Sequence, residues 1–155
     1  MNAAILVRDG CGDRLSVLGP VIEFLAAGGR DTDSYCVFRG TIPTGVEVPV
    51  HHHPDDESMF MLSGKVEVLL AGADGSREWA TMGPGDFVHI PAGVAHGWRN
   101  PFEESALQII ITTPRMGRFF REVGTRVPEG RVTPPAAEDV NRFRETAARY
   151  GHYLE

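Results

Sequence analysis

Histidine is concentrated in one stretch of this sequence, where its side chains could bind a metal ion. Five of the six histidines lie between positions 51 and 96, and His51, His52 and His53 are consecutive. Side chains two positions apart on a β-strand point to the same face, so His51 and His53 can converge while His52 points away. Glu57 follows a Pro-Asp-Asp turn and can bring a carboxylate from an adjacent strand. Such ligands suit divalent Zn, Fe, Ni, Co, Cu or Mn, although a solvated histidine-rich loop is the alternative for this cluster alone.

The elements that must position these side chains are short strands separated by glycine and proline. The sequence predicts them at Val21–Leu25, Ser34–Ile42, Val46–His53, Met59–Leu62, Lys65–Leu70, Glu78–Met82, Phe87–Ile90, Val94–Arg99 and Leu107–Thr112. This spacing indicates an antiparallel sandwich or barrel, with Asp74-Gly75 as a hairpin turn. We therefore expect an all-β unit over residues 1–114, with N-terminal strands.

The C-terminal part, residues 115–155, is predicted to be a helical extension. Met116–Val123 and Ala136–Tyr150 have helical patterns, and each is followed by a glycine that can end a helix. The second helix is expected to start near Thr133, Pro134 and Pro135. Its apolar stripe consists of Val140, Phe143, Ala147 and Tyr150. We expect this stripe to pack on the barrel or on a partner subunit.

Composition narrows the class of protein further. The chain has 155 residues, a length typical of one domain, and its formal net charge of −6 argues against nucleic acid or an anionic membrane as partner. No apolar run approaches the ~20 residues of a membrane span, and the N-terminus lacks a signal-peptide pattern. We therefore predict a cytoplasmic protein, in which Cys11 and Cys36 are reduced thiols.

Two segments of the sequence resemble the two motifs of the cupin superfamily. The first motif is glycine, five residues, His-x-His, three or four residues, Glu, six residues and glycine, which is matched by Gly45, His51, His53, Glu57 and Gly64. The second is glycine, five residues, Pro-x-Gly, two residues, His, three residues and Asn, which is matched by Gly85, Pro91, Gly93, His96 and Asn100. The resemblance implies a double-stranded β-helix, or jelly-roll barrel, with short C-terminal helices. It also implies that one divalent transition metal is bound inside the barrel by His51, His53, Glu57 and His96.

Strand alternation suggests which neighbouring residues form a substrate pocket. If Glu57 and His96 point inward, then Met59, Met61 and Trp98 also point inward. Further pocket candidates, whose facing no motif residue determines, are Tyr35, Phe38, Arg39 and Gln108. We expect His52 to face outward and His89 to be a structural histidine, and we expect Asp55 and Asp56 to be turn residues.

Two reaction classes fit such a site. In the first, a small enolisable or phenolic molecule loses a proton to Glu57 and reacts with dioxygen, so that a carbon bond is cleaved. In the second, the metal acts only as a Lewis acid in an isomerase, cyclase or lyase. Outside the motifs the chain looks like single-domain bacterial cupins of the quercetin-dioxygenase-like group, which favours the dioxygenase. A small-molecule-binding cupin without activity is the third hypothesis, and a homodimer is expected in each case.

Overall fold

The fold consists of two antiparallel β-sheets and two helices. The structure, a computed structural model, describes residues 4–26, 34–127 and 136–155. The strands are β1 (Arg14–Ser16), β2 (Val21–Ala26), β3 (Cys36–Ile42), β4 (Glu47–His52), β5 (Glu57–Ser63), β6 (Val66–Ala71), β7 (Arg77–Met82), β8 (Phe87–Ile90), β9 (His96–Arg99), β10 (Ala106–Thr112), β11 (Thr125–Arg126) and β12 (Tyr153–Leu154). The helices are α1 (Pro114–Val123) and α2 (Ala137–Arg149).

The larger sheet has seven strands in the order β11-β1-β2-β3-β10-β5-β8, and the smaller has five in the order β12-β4-β9-β6-β7. Burial alternates along β3 and β10, as expected for strands with one face on a core. The core includes Phe38, Met61 and Val66, all fully buried. The predicted all-β architecture is therefore confirmed.

Each predicted strand has a counterpart, and the predicted hairpin at Asp74-Gly75 joins β6 to β7. Three additional short strands, β1, β11 and β12, were not predicted. The last two belong to the C-terminal part of the chain and pair with β1 and β4 respectively. Strands of two or three residues are too short to show a periodic pattern, and they form only because another strand lies beside them.

Helix α1 starts where the last barrel strand ends. The Thr113 hydroxyl accepts a hydrogen bond from the Met116 amide at 3.3 Å, and Pro114 occupies the first helical position, where no amide donor is needed. For α2, the Asp139 carboxylate accepts from the Ala136 amide at 2.9 Å. The helix start expected at Thr133, Pro134 and Pro135 lies outside the described residues.

The apolar stripe of α2 is covered in part by α1. Ala147 is buried with Met116, Phe119 and Val123 of α1, and Phe143 and Tyr150 pack against the same cluster. Val140 lies outside this cluster and, with Phe143 and Ala147, borders a cavity of the barrel. The two helices thus form a small second core beside the barrel. Neither described helix has the length and hydrophobicity needed to traverse a lipid bilayer.

Candidate metal centre

Three imidazoles meet at one end of the barrel. His51 lies on β4 and pairs with His96 on β9, and His53 directly follows β4. The ring centroids lie 4.3 Å apart for His51 and His96, 4.9 Å for His53 and His96, and 5.5 Å for His51 and His53. One nitrogen from each ring lies within 4.8 Å of the others. The three side chains can therefore share one ion.

Backbone carbonyls orient two of these rings. Nδ1 of His51 lies 2.8 Å from the Pro49 carbonyl oxygen, and Nδ1 of His96 lies 2.8 Å from that of Val94. A carbonyl only accepts, so each Nδ1 carries the proton and each Nε2 keeps a lone pair for a metal. Among the described residues, Nε2 of His96 and both nitrogens of His53 have no hydrogen-bond partner. Buried polar atoms rarely lack one, so a bound cation fits this donor set.

Glu57 adds a carboxylate to the imidazoles. Its Oε2 lies 3.5 Å from Nε2 of His96 and 3.7 Å from Nε2 of His53. Burial by itself would raise the pKa of the Glu57 carboxyl, but these two imidazoles hold it well below its usual range. Burial, together with the nearby His96 ring, lowers the pKa of His51 to about 4. The centre therefore contains an ionised carboxylate and a neutral His51 at pH 7.

The turn between His53 and Glu57 is held on both sides. Asp55 is buried, accepts a hydrogen bond from the Thr113 hydroxyl and forms a 2.5 Å ion pair with Arg115. Asp56 accepts from the Ala92 amide at 2.9 Å, which links the first motif to the Pro-x-Gly turn of the second. Both acids therefore stabilise the turn, and the carboxylate of Asp55 is occupied by its ion pair with Arg115.

Two further histidines lie outside the centre. His52 faces away and contacts the Tyr153 ring, with centroids 5.3 Å apart. His89 lies on β8, is exposed, and shares a 2.9 Å hydrogen bond with the Ser58 hydroxyl.

Asn100, from the second motif, is buried and donates to the carbonyl oxygens of Ile42 at 2.9 Å and Glu104 at 2.8 Å. It thereby connects two loops.

A cavity of about 650 Å³ opens beside the metal centre. Of the predicted pocket residues, Met59, Trp98 and Gln108 line it together with His51, His53 and Glu57. The structure places the others elsewhere. Met61 and Phe38 are buried in the core, Tyr35 is exposed, and Arg39 pairs with Glu23. On β3 every second residue from Cys36 points into the core, so the Arg39 side chain points outward. Tyr35 comes just before this strand and is exposed.

His152 also borders the cavity, and it was not among the residues predicted from the sequence. Its ring lies 4.9 Å from that of His53, and its Nε2 is buried without a hydrogen-bond partner among the described residues. Burial, followed by the His53 and His51 imidazoles, lowers the pKa of His152 to about 3. In the sequence it is an isolated histidine near the C-terminus, and its only signal is the helix-ending glycine before it.

Comparison with known proteins agrees with this architecture. The Cupin domain family profile matches residues 38–112, which contain all three imidazoles and Glu57. These residues form a cupin domain. Among solved cupin structures, the RmlC-like cupin from Shewanella frigidimarina superposes with a TM-score of 0.58 at 18% identity, covering 72% of this chain and 92% of that one. Oxalate decarboxylase from Bacillus subtilis superposes with a TM-score of 0.57 at 17% identity, covering 66% and 27%. These matches establish the fold.

Related cupin sequences include enzymes of two kinds. Quercetin 2,3-dioxygenase of Bacillus subtilis is 26% identical over 131 residues, which cover 83% of this cupin and 37% of that protein. Dimethylsulfoniopropionate lyase DddQ of Ruegeria pomeroyi is 37% identical over 68 residues, covering 44% and 32%. Acireductone dioxygenase of Bacillus subtilis is 32% identical over 65 residues, covering 41% and 36%. This cupin thus spans about a third of the length of these relatives. The site formed by His51, His53 and His96 can bind a divalent transition metal.

Proposed function

We propose that this cupin is a metal-dependent enzyme that acts on a small enolisable or phenolic molecule, as a dioxygenase. The observation that carries the proposal is the position of the metal centre. His51, His53 and Glu57 lie on the wall of the 650 Å³ cavity, so a molecule bound there touches the centre directly. The similarity to quercetin and acireductone dioxygenases supports this choice.

The protein would hold the ion through Nε2 of His51, His53 and His96 and through the Glu57 carboxylate. A bound divalent metal would supply a Lewis acid that stabilises negative charge on a substrate oxygen. Glu57 is the group proposed to take the substrate proton, because it is ionised and lies on the cavity wall. The carbonyl partners of His51 and His96 keep both rings in one tautomer while this happens.

The rest of the cavity wall favours a molecule with an apolar body. Met59, Trp98 and Ile110 line the cavity beyond the centre, and each is buried. An uncharged ring or enol loses little hydration there, whereas a strongly charged molecule would lose much more. This matches the phenolic or enolisable class better than a sugar or nucleotide.

The second candidate is a lyase, isomerase or cyclase that does not use dioxygen. The specific observation in its favour is the similarity to the dimethylsulfoniopropionate lyase, which covers 44% of this chain. The same ligands and the same base would serve, since removing a proton next to an electron-withdrawing group needs only a base and a Lewis acid.

One experiment separates these functions. The protein is purified without added metal, its metal content is measured, and oxygen uptake is then followed with that metal against diketones, flavonols and phenols. Sustained oxygen consumption with one compound supports the dioxygenase. Turnover without oxygen supports the second candidate, and tight binding without turnover supports a non-enzymatic binding cupin. Protein that takes up no metal would contradict all metal-dependent functions.

We further propose that this cupin works as a homodimer. On the outer face of the seven-stranded sheet, Phe60 pairs across strands with Phe87 and with Ile109. Phe60 is 42% exposed and Phe87 is 60% exposed. An exposed row of aromatic and aliphatic side chains on a sheet is typical of a surface that packs on another molecule. The cytoplasmic location stays a prediction from the sequence.

A further inference from the structure

Gln108 is a buried polar side chain whose hydrogen bonding is incomplete. It lies on the inward face of β10, is only 3% exposed, and its Oε1 has no hydrogen-bond partner among the described residues. Leaving a buried amide group unpaired destabilises a protein, and an apolar residue of similar size would avoid that cost. A polar side chain in such a place is therefore a candidate for binding a ligand.

Gln108 lies well away from the metal centre but on the same cavity. Across β10 and β5, Thr112 pairs with Glu57 and Gln108 pairs with Met61. Four residues along a strand correspond to about 13 Å, so the Gln108 amide is on the order of 10 Å from the Glu57 carboxylate. Both Gln108 and Glu57 line the cavity, which connects them.

Gly40 makes room for the side chains of Gln108 and Ile110 on the wall of the cavity. This residue pairs with Gln108 on the neighbouring strand β3 and occupies an inward position. A Cβ atom at Gly40 would lie 2.8 Å from Cδ1 of Ile110 and 3.4 Å from Cγ of Gln108. A side chain at this position would therefore displace Ile110 and disturb the placement of the Gln108 amide on the cavity wall.

We propose that the Gln108 amide binds a hydroxyl, carbonyl or amide group at the end of the substrate remote from the metal. This inference rests on the proposed function. It specifies an elongated molecule with an enol or phenol oxygen at one end, an apolar middle and a second hydrogen-bonding group at the other end. Gln108 determines specificity for that second group, and it takes no part in metal binding.

The first test needs no ligand. In the metal-free protein, Gln108→Met and Gln108→Leu remove the amide with its unpaired oxygen and introduce an apolar side chain of similar size. We expect a melting temperature about 2–4 °C higher, which is the shift that removing a modest unfavourable interaction gives in a protein of this length. Metal affinity should be unchanged. A lower melting temperature in both variants would show that the amide stabilises the fold, and would overturn the proposal.

The second test uses two phenols that differ only at the remote end, 4-phenylphenol and 4,4′-dihydroxybiphenyl. Each is titrated anaerobically into the zinc-loaded protein, and binding is followed by absorbance. We expect the wild type to bind the diol about tenfold more tightly, as one added hydrogen bond allows. The preference should vanish in Gln108→Met and persist in the control Met61→Leu, which changes a side chain of the core that does not line the cavity.

The outcomes separate the two proposals. A wild type without preference, or a preference that survives in Gln108→Met, overturns the role of Gln108 even if oxygen uptake supports the dioxygenase. If neither phenol binds the zinc-loaded protein, the phenolic substrate class is contradicted, and the melting temperatures then decide whether Gln108 is a binding residue.

Discussion

His152 stacks on Phe119, with ring centroids 4.0 Å apart and an interplanar angle of 25°. This contact joins the turn after α2 to helix α1 and holds the His152 imidazole against the metal centre. The turn itself depends on Gly151, whose φ of +67° lies in the left-handed region. The His152 amide then donates to the Ala147 carbonyl oxygen at 2.9 Å, which closes the helix end. The C-terminal turn is thereby a fixed part of the cavity wall.

A second connection links this turn to the loop between His53 and Glu57. Arg115 donates to the Tyr150 carbonyl oxygen and also pairs with the buried Asp55 carboxylate. Asp55 lies between His53 and Glu57 in the chain, so the Arg115 guanidinium group bridges the C-terminal turn and the loop that joins these two residues. The pairing of β12 with β4, with Tyr153 opposite His52, extends the same connection.

The first prediction concerns metal affinity. Replacing His51 or His96 by Ala removes one of the three imidazoles that lie within 4.8 Å of one another. We expect affinity for a divalent metal to fall by about tenfold to a hundredfold or more. Losing a residue that only hydrogen-bonds to a metal ligand already has an effect of this size. Equilibrium titration with Zn²⁺ or Co²⁺ measures it. His89→Ala is the control, because the His89 ring is exposed, hydrogen-bonds to Ser58 and lies outside the centre.

The contradicting outcome for this prediction is a wild-type affinity in both alanine variants. In that case the imidazole cluster would be a structural feature of the barrel end, and the proposed ligand set would have to be abandoned.

The second prediction distinguishes the two roles proposed for Glu57. Glu57→Gln keeps one oxygen and the size of the side chain but removes the basic carboxylate. We expect the metal to remain bound while turnover falls by about 100- to 10,000-fold, as is typical when a general base is lost. Metal content and turnover are measured on the same preparation. Unchanged turnover in the metal-loaded variant would leave Glu57 as a ligand only.

These residues also show which parts of the site could be predicted. His51 and His53 could be paired because the two-residue period of a strand determines which side chains share a face. His96 could be joined to them only through the motif resemblance, since it lies on a different strand. His152 could not be predicted, because it reaches the cavity through a helix-ending turn and a two-residue strand. Neither feature has a periodic signal in the sequence.

The pocket predictions show the same division. Met59 and Trp98 lie two residues from Glu57 and His96, so alternation from those anchors places them on the cavity. Tyr35 and Phe38 had no such anchor. The structure shows that the inward positions of β3 begin at Cys36, so Phe38 enters the core, whereas Tyr35 is 54% exposed.

The third prediction concerns stability at acidic pH. Because folding lowers the pKa of His152 from 6.5 to about 3, the unfolded chain binds a proton between these values and the folded chain does not. The contribution of His152 to the free energy of unfolding of the metal-free protein should therefore fall as pH decreases below 6.5. His51, with a pKa lowered to about 4, acts in the same direction. His96 acts in the opposite direction, because burial, which would lower its pKa, is outweighed by its contacts with Glu57, which raise its pKa.

The variant His152→Phe tests this contribution, since it retains an aromatic ring on Phe119 but cannot be protonated. Part of the imidazole faces the cavity, where solvent screens it, so we expect a contribution of about 1 kcal/mol between pH 7 and pH 5. Urea unfolding of metal-free wild type and variant at both pH values measures the difference. An equal loss of stability in the two proteins would refute the assignment.

The fourth prediction concerns assembly through the outer face of the seven-stranded sheet. Helix α1 already covers part of the apolar stripe of α2, so the sheet face is the better candidate for contact with a second subunit. Phe60 lies on β5, next to the edge strand β8, between Phe87 of β8 and Ile109 of β10. Burying these side chains stabilises a dimer by removing apolar surface from water, and a charge placed among them would have to be desolvated.

We therefore expect light scattering of the wild type at micromolar concentration to give about twice the chain mass of 16.9 kDa. Phe60→Lys should give the mass of one chain while keeping its affinity for metal. Thr81→Lys, which adds the same charge at an exposed position on the other sheet, should remain dimeric. A wild type with the mass of a single chain would show that the aromatic row is exposed in the working protein. A Phe60→Lys dimer would instead place the interface on another surface.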